Sequence, residues 1–209
     1  MSVVLRAGLG LGLLTLSPAV LAADYAMDTS SSDLYVQVFK DPDTMGAGLS
    51  HDHVVQAANW NGAISWDAAD PSSCAIAVSV PVNRMVVDES SMRQRVGYDT
   101  TLSDGQREDV REKMLGEDQL NGTAHPLITF RSTSCTSNSI TGDLSIRGVS
   151  KSVTMSANIT ADDTSFSASG QLNIRATQFG FQPFSAMLGQ LKNRDDMTLH
   201  IKLVGTAGG

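Results

Sequence analysis

Apolar and polar residues alternate along most of this chain, and the alternation recurs in eight separate stretches. "DLYVQVF" sets Leu34, Val36 and Val38 on one side, and "NWNGAISWD" centres a second stretch on Ile64 and Trp66. "CAIAVSV" aligns Ile76, Val78 and Val80; "LITFRS" sets Ile128 and Phe130 against Thr129 and Arg131. "ITGDLSI" aligns Ile140, Leu144 and Ile146, and "VTMSANI" aligns Val153, Met155 and Ile159. "FSASGQLNI" aligns Phe166, Leu172 and Ile174, and "MTLHIKL" sets Met197, Leu199, Ile201 and Leu203 against Thr198, His200 and Lys202. A period of two marks a strand with one buried face. Turn-rich pieces such as "DAADPSS", "TSNS", "RGVSK" and "ADDTS" separate the stretches. The pattern predicts an all-β fold, an eight-stranded antiparallel meander closed into a barrel that leaves no free edge. A two-sheet sandwich is the alternative architecture.

Between Val87 and Pro126 the alternation stops and the chain becomes polar. "SDGQREDVREKMLG" predicts a helix: Ser103 caps it, Gln106 completes a capping box, and Gly116 ends it. Val110, Met114 and Leu115 form its apolar stripe, and a second short helix is expected from Ser90 or Ser91. This helical insertion either covers a barrel mouth or decorates the outside. No internal repeat or low-complexity stretch divides the chain, so one domain is expected over residues 23–209.

The first 22 residues read as a secretory signal peptide. Arg6 precedes the apolar run "AGLGLGLLTL", and "PAVLA" supplies small residues before cleavage after Ala22. The run is too short for a membrane anchor, and no later stretch is long and apolar enough to span, so no stable membrane insertion is expected. Loss of Arg6 leaves 14 basic against 22 acidic side chains, a net charge near −8. That balance repels phosphate backbones and argues against nucleic acid as a partner. The expected compartment is the periplasm or the exterior. There the single cysteine pair, Cys74 and Cys135, predicts a disulfide contributing about 4 kcal/mol on a loop-entropy model. By alternation Cys74 shares a face with Ile76 and Val78, but Cys135 shares one with Arg131, so the bond requires a bulge or a strand end.

The segment "HPLITFRSTSC…SITGDLSIRGVSKSVTMSANI" resembles the YceI-like family of exported lipid-binding proteins. The resemblance rests on a Pro before an alternating "ITF" strand and on "TGDLSIRGVSKSVT"; "NGAISWD", "REKMLGEDQL" and "RATQFGFQPF" support it. It spans nearly the whole mature chain. It implies a lipocalin-like barrel whose long apolar interior holds a polyisoprenoid or similar amphiphile, with no cofactor. The small inward residues Ala157, Ala168 and Gly170 alternate with Leu, Ile and Phe, a pattern that would leave interior room. The family commonly places one histidine where this chain has His51-Asp52-His53, and the insertion from Asp88 to Gln106 is longer than in typical members.

If residues 50–55 are extended, His51 and His53 project to one side and Asp52 to the other. Two imidazoles can share a metal ion, but a stable site needs further ligands. His125 is the other plausible histidine, since His200 alternates outward, and nothing in the spacing selects Asp43 or Asp99. Ser50 and His51 point apart, and no Gly-x-Ser-x-Gly, paired-carboxylate or phosphate-loop motif is present, so no enzyme is expected. The favoured reading makes His51 and His53 polar groups at a mouth or pocket, bonded to backbone, water or a ligand head group. Trp60, Trp66, His125, Phe179, Phe181 and Phe184 join them as candidate ligand contacts, although large aromatics also complete cores. Gly180 and Pro183 mark a bend, and "SAMLGQL" reads as a short apolar loop at an opening.

The sequence therefore predicts a periplasmic carrier that sequesters an isoprenoid such as a quinone or polyprenol. Two alternatives stand beside it. One is a metal- or haem-binding protein using His51-Asp52-His53; the other is a filled barrel whose insertion, Asp88 to Gly116, meets a protein partner. A homodimer is compatible with each.

Overall fold

The structure, a computed structural model, describes residues 22–207. The expected signal peptide, residues 1–22, lies outside them except for its last residue. In chain order the strands are β1 (Ala23–Met27), β2 (Asp33–Lys40), β3 (His53–Gln56), β4 (Asn61–Trp66), β5 (Ala75–Pro81) and β6 (Val86–Val87). Two helices follow, α1 (Ser90–Arg95) and α2 (Asp104–Leu115). The chain then forms β7 (Leu127–Thr136), β8 (Ser139–Ile146), β9 (Val149–Ala161), β10 (Ser165–Arg175), β11 (Ser185–Ala186) and β12 (Leu191–Ala207).

Eight strands close into an antiparallel barrel in the order β1-β4-β5-β7-β8-β9-β10-β12, and β12 returns to β1 through Tyr25↔Ala207 to Met27↔Gly205. From β7 to β10 tight turns leave each new strand beside the last, and β12 then joins β10 after the longer segment 176–190. β12 does more than close the ring. Its 17 residues pair with β1 near one end of the barrel and with β2 toward the other. β3 adds to β2 and β6 to β3, so these three strands extend the wall beyond the closed ring. The alternating segment Leu34–Val38 is therefore an extension strand, and the ring position falls to β1. Its five residues set only Ala23, Tyr25 and Met27 inward, too short a run for a period to register.

α2 forms as its termini dictate. The Gln106 amide donates to Ser103 Oγ at 3.3 Å, and the Ser103 amide donates to Gln106 Oε1 at 2.9 Å. Gly116 is the C-cap. α1 begins at Ser90, packs against β3 and reaches the outer face of β2 through Arg95. There Gln37 Nε2 donates to the hydroxyl of Tyr98, just beyond α1, at 3.0 Å, and the Arg95 guanidinium sits 4.9 Å from the centre of the Tyr35 ring. Tyr35 stacks on the outward-facing His200 at 4.3 Å.

The cysteines are joined. Cys74 and Cys135 form a disulfide with Cα atoms 6.1 Å apart. The register of β7 against β8 shifts between Ser132 and Ser134, which moves Cys135 to the buried face while Arg131 stays exposed. A bulge reverses the facing of every residue beyond it. Ser132 Oγ accepts the Ile76 amide at 2.8 Å, so the bulge leaves that donor satisfied.

The core falls into two clusters. One gathers Tyr25, Trp60, Ile64, Trp66, Ile76 and Phe166 beside the disulfide, and fills the β1–β4 end of the barrel. Phe166 is fully buried, with Tyr25 and Trp66 tilted against it at 5.7 and 5.6 Å. The other cluster joins Leu144, Ile146, Ile174, Ala176, Phe179 and Phe181 near the opposite end. Ala157, Ala168 and Gly170 do not create the interior room that their size suggests. The two alanines lie in the first cluster, and a Cβ on Gly170 would meet Met155 Sδ at 3.0 Å and the Ser156 carbonyl at 2.4 Å. Small residues here admit large neighbours, as close packing requires.

Candidate ligand-binding site

Between the filled end and the helical insertion the barrel is hollow. The cavity measures about 460 Å³, within the range typical of small-molecule sites. Its wall is the inward face of the alternation: Val36, Val38 and Val55 on one side, Ile128, Phe130, Leu144 and Ile146 on another, and Leu172, Ile174, Met197, Leu199 and Ile201 opposite. Met155, Ile140 and Leu203 form its floor, shared with the first core cluster. Val110 and Met114 of α2 roof it, with Leu120, Phe181 and Phe184. The α2 part of the insertion thus covers the mouth, and α1 lies outside the wall. Polar side chains along the lining include Lys113, Gln119 and His53. Such a wall offers few hydrogen bonds to water, whereas an apolar chain would recover the dispersion contacts that the void forfeits.

His53 is the polar group with the most elaborate support. It shares the inward face of β3 with Val55, and its Nδ1 lies 2.7 Å from Asp88 Oδ2. Asp88 is 1% exposed. Its Oδ1 accepts from the Val54 amide at 2.9 Å and from Arg93 at 2.8 Å. Arg93, also buried, donates to the Asp52 carbonyl at 2.8 Å and the Thr100 carbonyl at 2.7 Å. Burial by itself raises the Asp88 pKa. The hydrogen bond and charge of His53, then the Val54 amide and Arg93, outweigh it and hold the carboxyl below its ordinary value. An anionic Asp88 orients the ring with Nδ1–H toward the carboxylate, leaving Nε2 free of the network.

Asp88 and Arg93 were invisible as a pair in the sequence. They lie five residues apart, a separation common among surface charges, and only burial makes the pair unusual. The backbone of Asp88 adopts φ 50°, a conformation that aspartate tolerates better than most residues.

The other candidate contacts are dispersed. Phe181 and Phe184 line the cavity with His53. Trp60 and Trp66 belong to the filled end, and Phe179 is fully buried in the second cluster. His125 packs against Gly148, where a Cβ would stand 2.9 Å from the imidazole Cε1. His51 is half-buried beside His53; burial, then the neighbouring His53, push its pKa down. Among the described residues no group of three His, Cys, Asp or Glu side chains is arranged to hold a metal ion. His51 and His53 thus have no third ligand beside them among the described residues, and His53 Nδ1 is committed to Asp88.

Together these features describe a closed antiparallel barrel with a filled floor, a roofed mouth and an apolar hollow. The family is specific: a model of the YceI-like domain matches residues 25–205, and this chain belongs to that family. Solved structures share the fold at low identity. BcnA of Burkholderia cenocepacia superposes with a TM-score of 0.60 at 14% identity, covering 85% of this chain and 98% of that one. A polyisoprenoid-binding domain from Saccharophagus degradans, implicated in plant cell wall breakdown, gives 0.56 at 11%, covering 90% and 99%. The YceI protein of Campylobacter jejuni gives 0.54 at 16%, covering 74% and 85%. No curated protein matches the chain. No helix among the described residues is long and apolar enough to cross a membrane.

Proposed function

We propose that this protein is a non-enzymatic carrier that sequesters an isoprenoid lipid, a quinone or a polyprenol, in the barrel interior. The observation that carries the reading is the apolar hollow of about 460 Å³, open between a filled floor and a helical roof. The tail lies among Val36, Phe130, Leu172 and Leu199, and each buried methylene contributes about 0.8 kcal/mol. The polar head lies toward the mouth, where His53 Nε2 faces it and Phe181 and Phe184 flank it. The description of the Saccharophagus domain as polyisoprenoid-binding supports the ligand class.

The carrier works in the periplasm or outside the cell, with residues 1–22 as its signal peptide and residues 23–209 as its binding domain. The disulfide supports an oxidising compartment, where such bonds persist. Organic extraction of the purified protein, followed by mass spectrometry, is expected to release a prenyl-chain lipid. Protein that is empty and takes up neither a quinone nor a polyprenol would overturn the proposal.

A further inference from the structure

Two loops at the mouth end hold large apolar side chains in water. Met45 is 92% exposed and Leu49 74%, both in the loop after β2; Met187 is 59% exposed and Leu188 fully so, in the connection from β11 to β12. The loops are stitched together. The Gly46 amide donates to the Gln190 carbonyl at 3.0 Å, and the Asp41 amide donates to the Lys192 carbonyl at 2.8 Å. A Cβ on Gly46 would stand 2.6 Å from the Gln190 oxygen, so the approach is close. The four tips belong to one rim.

Backbone preference does not account for the residues at this turn. Met187, Leu188 and Gly189 have successive φ values of 52°, 57° and 87°, and only the third is a glycine. A left-handed turn ordinarily carries Asn or Gly. Bulky apolar residues kept in a strained and exposed conformation point to a role outside folding. The rim also continues into the cavity: Phe184 directly precedes β11, Asn193 follows the turn on β12, and both line the hollow.

We propose that these four tips insert into a phospholipid bilayer and dock the cavity mouth on its surface. The transfer of ligand across that contact rests on the carrier reading; the docking itself does not. The shape of the rim favours fluid acyl chains over a second copy of the chain. Isolated tips cannot supply the roughly 800 Å² of complementary surface per partner that a stable interface buries. Nearby basic groups are already engaged, Lys192 with Asp41 at 3.9 Å, Arg194 with Asp196 at 3.4 Å, and Lys40 with the Ala47 and Ser50 carbonyls at 3.3 and 3.5 Å. Docking therefore relies on apolar insertion and is insensitive to salt.

Flotation with phosphatidylcholine vesicles tests this, using the protein and a Met187→Asn/Leu188→Gly variant. The native protein is expected to float at low and high salt. The variant is expected to lose binding by about tenfold or more, while its thermal midpoint holds or rises by about 2–4 °C as strain is relieved. A gain in stability alongside lost binding excludes unfolding as the cause. Native protein that stays unbound, that floats only with anionic vesicles and releases in salt, or whose self-association the variant abolishes without change in flotation would overturn the proposal. Lipid extraction of both proteins separates the two readings: an empty protein that still floats defeats the carrier alone.

Discussion

The two ends of the barrel share one sequence pattern and have opposite interiors. At the β1–β4 end, small inward residues face large ones: Ala157 and Ala168 lie with Phe166, Trp60 and Trp66 in one cluster, and Gly170 makes way for Met155. At the other end branched aliphatic residues line the wall, and α2 roofs a space that they leave unfilled. Mixed sizes interlock across a barrel, whereas side chains of similar length meet the limit of their reach and leave an axis open. The difference makes one end solid and leaves the other hollow.

Phe166→Ala should break the filled end and have the largest effect. Loss of a fully buried ring costs about 3–5 kcal/mol, measurable as a lowered midpoint in denaturant unfolding. Ligand loading should persist in the molecules that remain folded. At the hollow end Leu172→Trp should behave in the reverse sense, lowering lipid content in extracts several-fold while shifting stability by under about 1.5 kcal/mol, because the added volume enters existing space. Equal effects of the two substitutions on stability would erase the contrast between the ends.

A third effect concerns acid. Asp88 has a depressed pKa in the folded chain, so its stabilisation is complete above the unfolded carboxylate value and is lost as pH falls through the folded value. Stability measured downward from neutral pH should decline on the acidic side of the ordinary carboxylate range. The Asp88→Asn variant should lack that part of the decline, having already lost stability at neutral pH through an unpaired Arg93. An unchanged acid limb would remove Asp88 from the account of how His53 is held.

Much of this was legible along the chain. Alternation located the seven long strands and β4, and Ser103, Gln106 and Gly116 marked the limits of α2. These are local signals, written in side-chain period and capping chemistry. The polar character of His51 and His53 was legible too, but the company each keeps was not. The Asp88–Arg93 support and the position of Trp60 and Trp66 at the filled end depend on residues distant in sequence.

By itself the sequence determined a β-rich chain with a polar helical insertion and a barrel's alternation, since each of these follows from neighbours within a few residues. Tertiary structure decided the rest. It reversed the facing of Cys135 with one bulge, split β12 between β1 and β2, and left one end hollow while filling the other. Whether inward side chains meet depends on what stands across the barrel axis, and that neighbour is set by closure of the sheet.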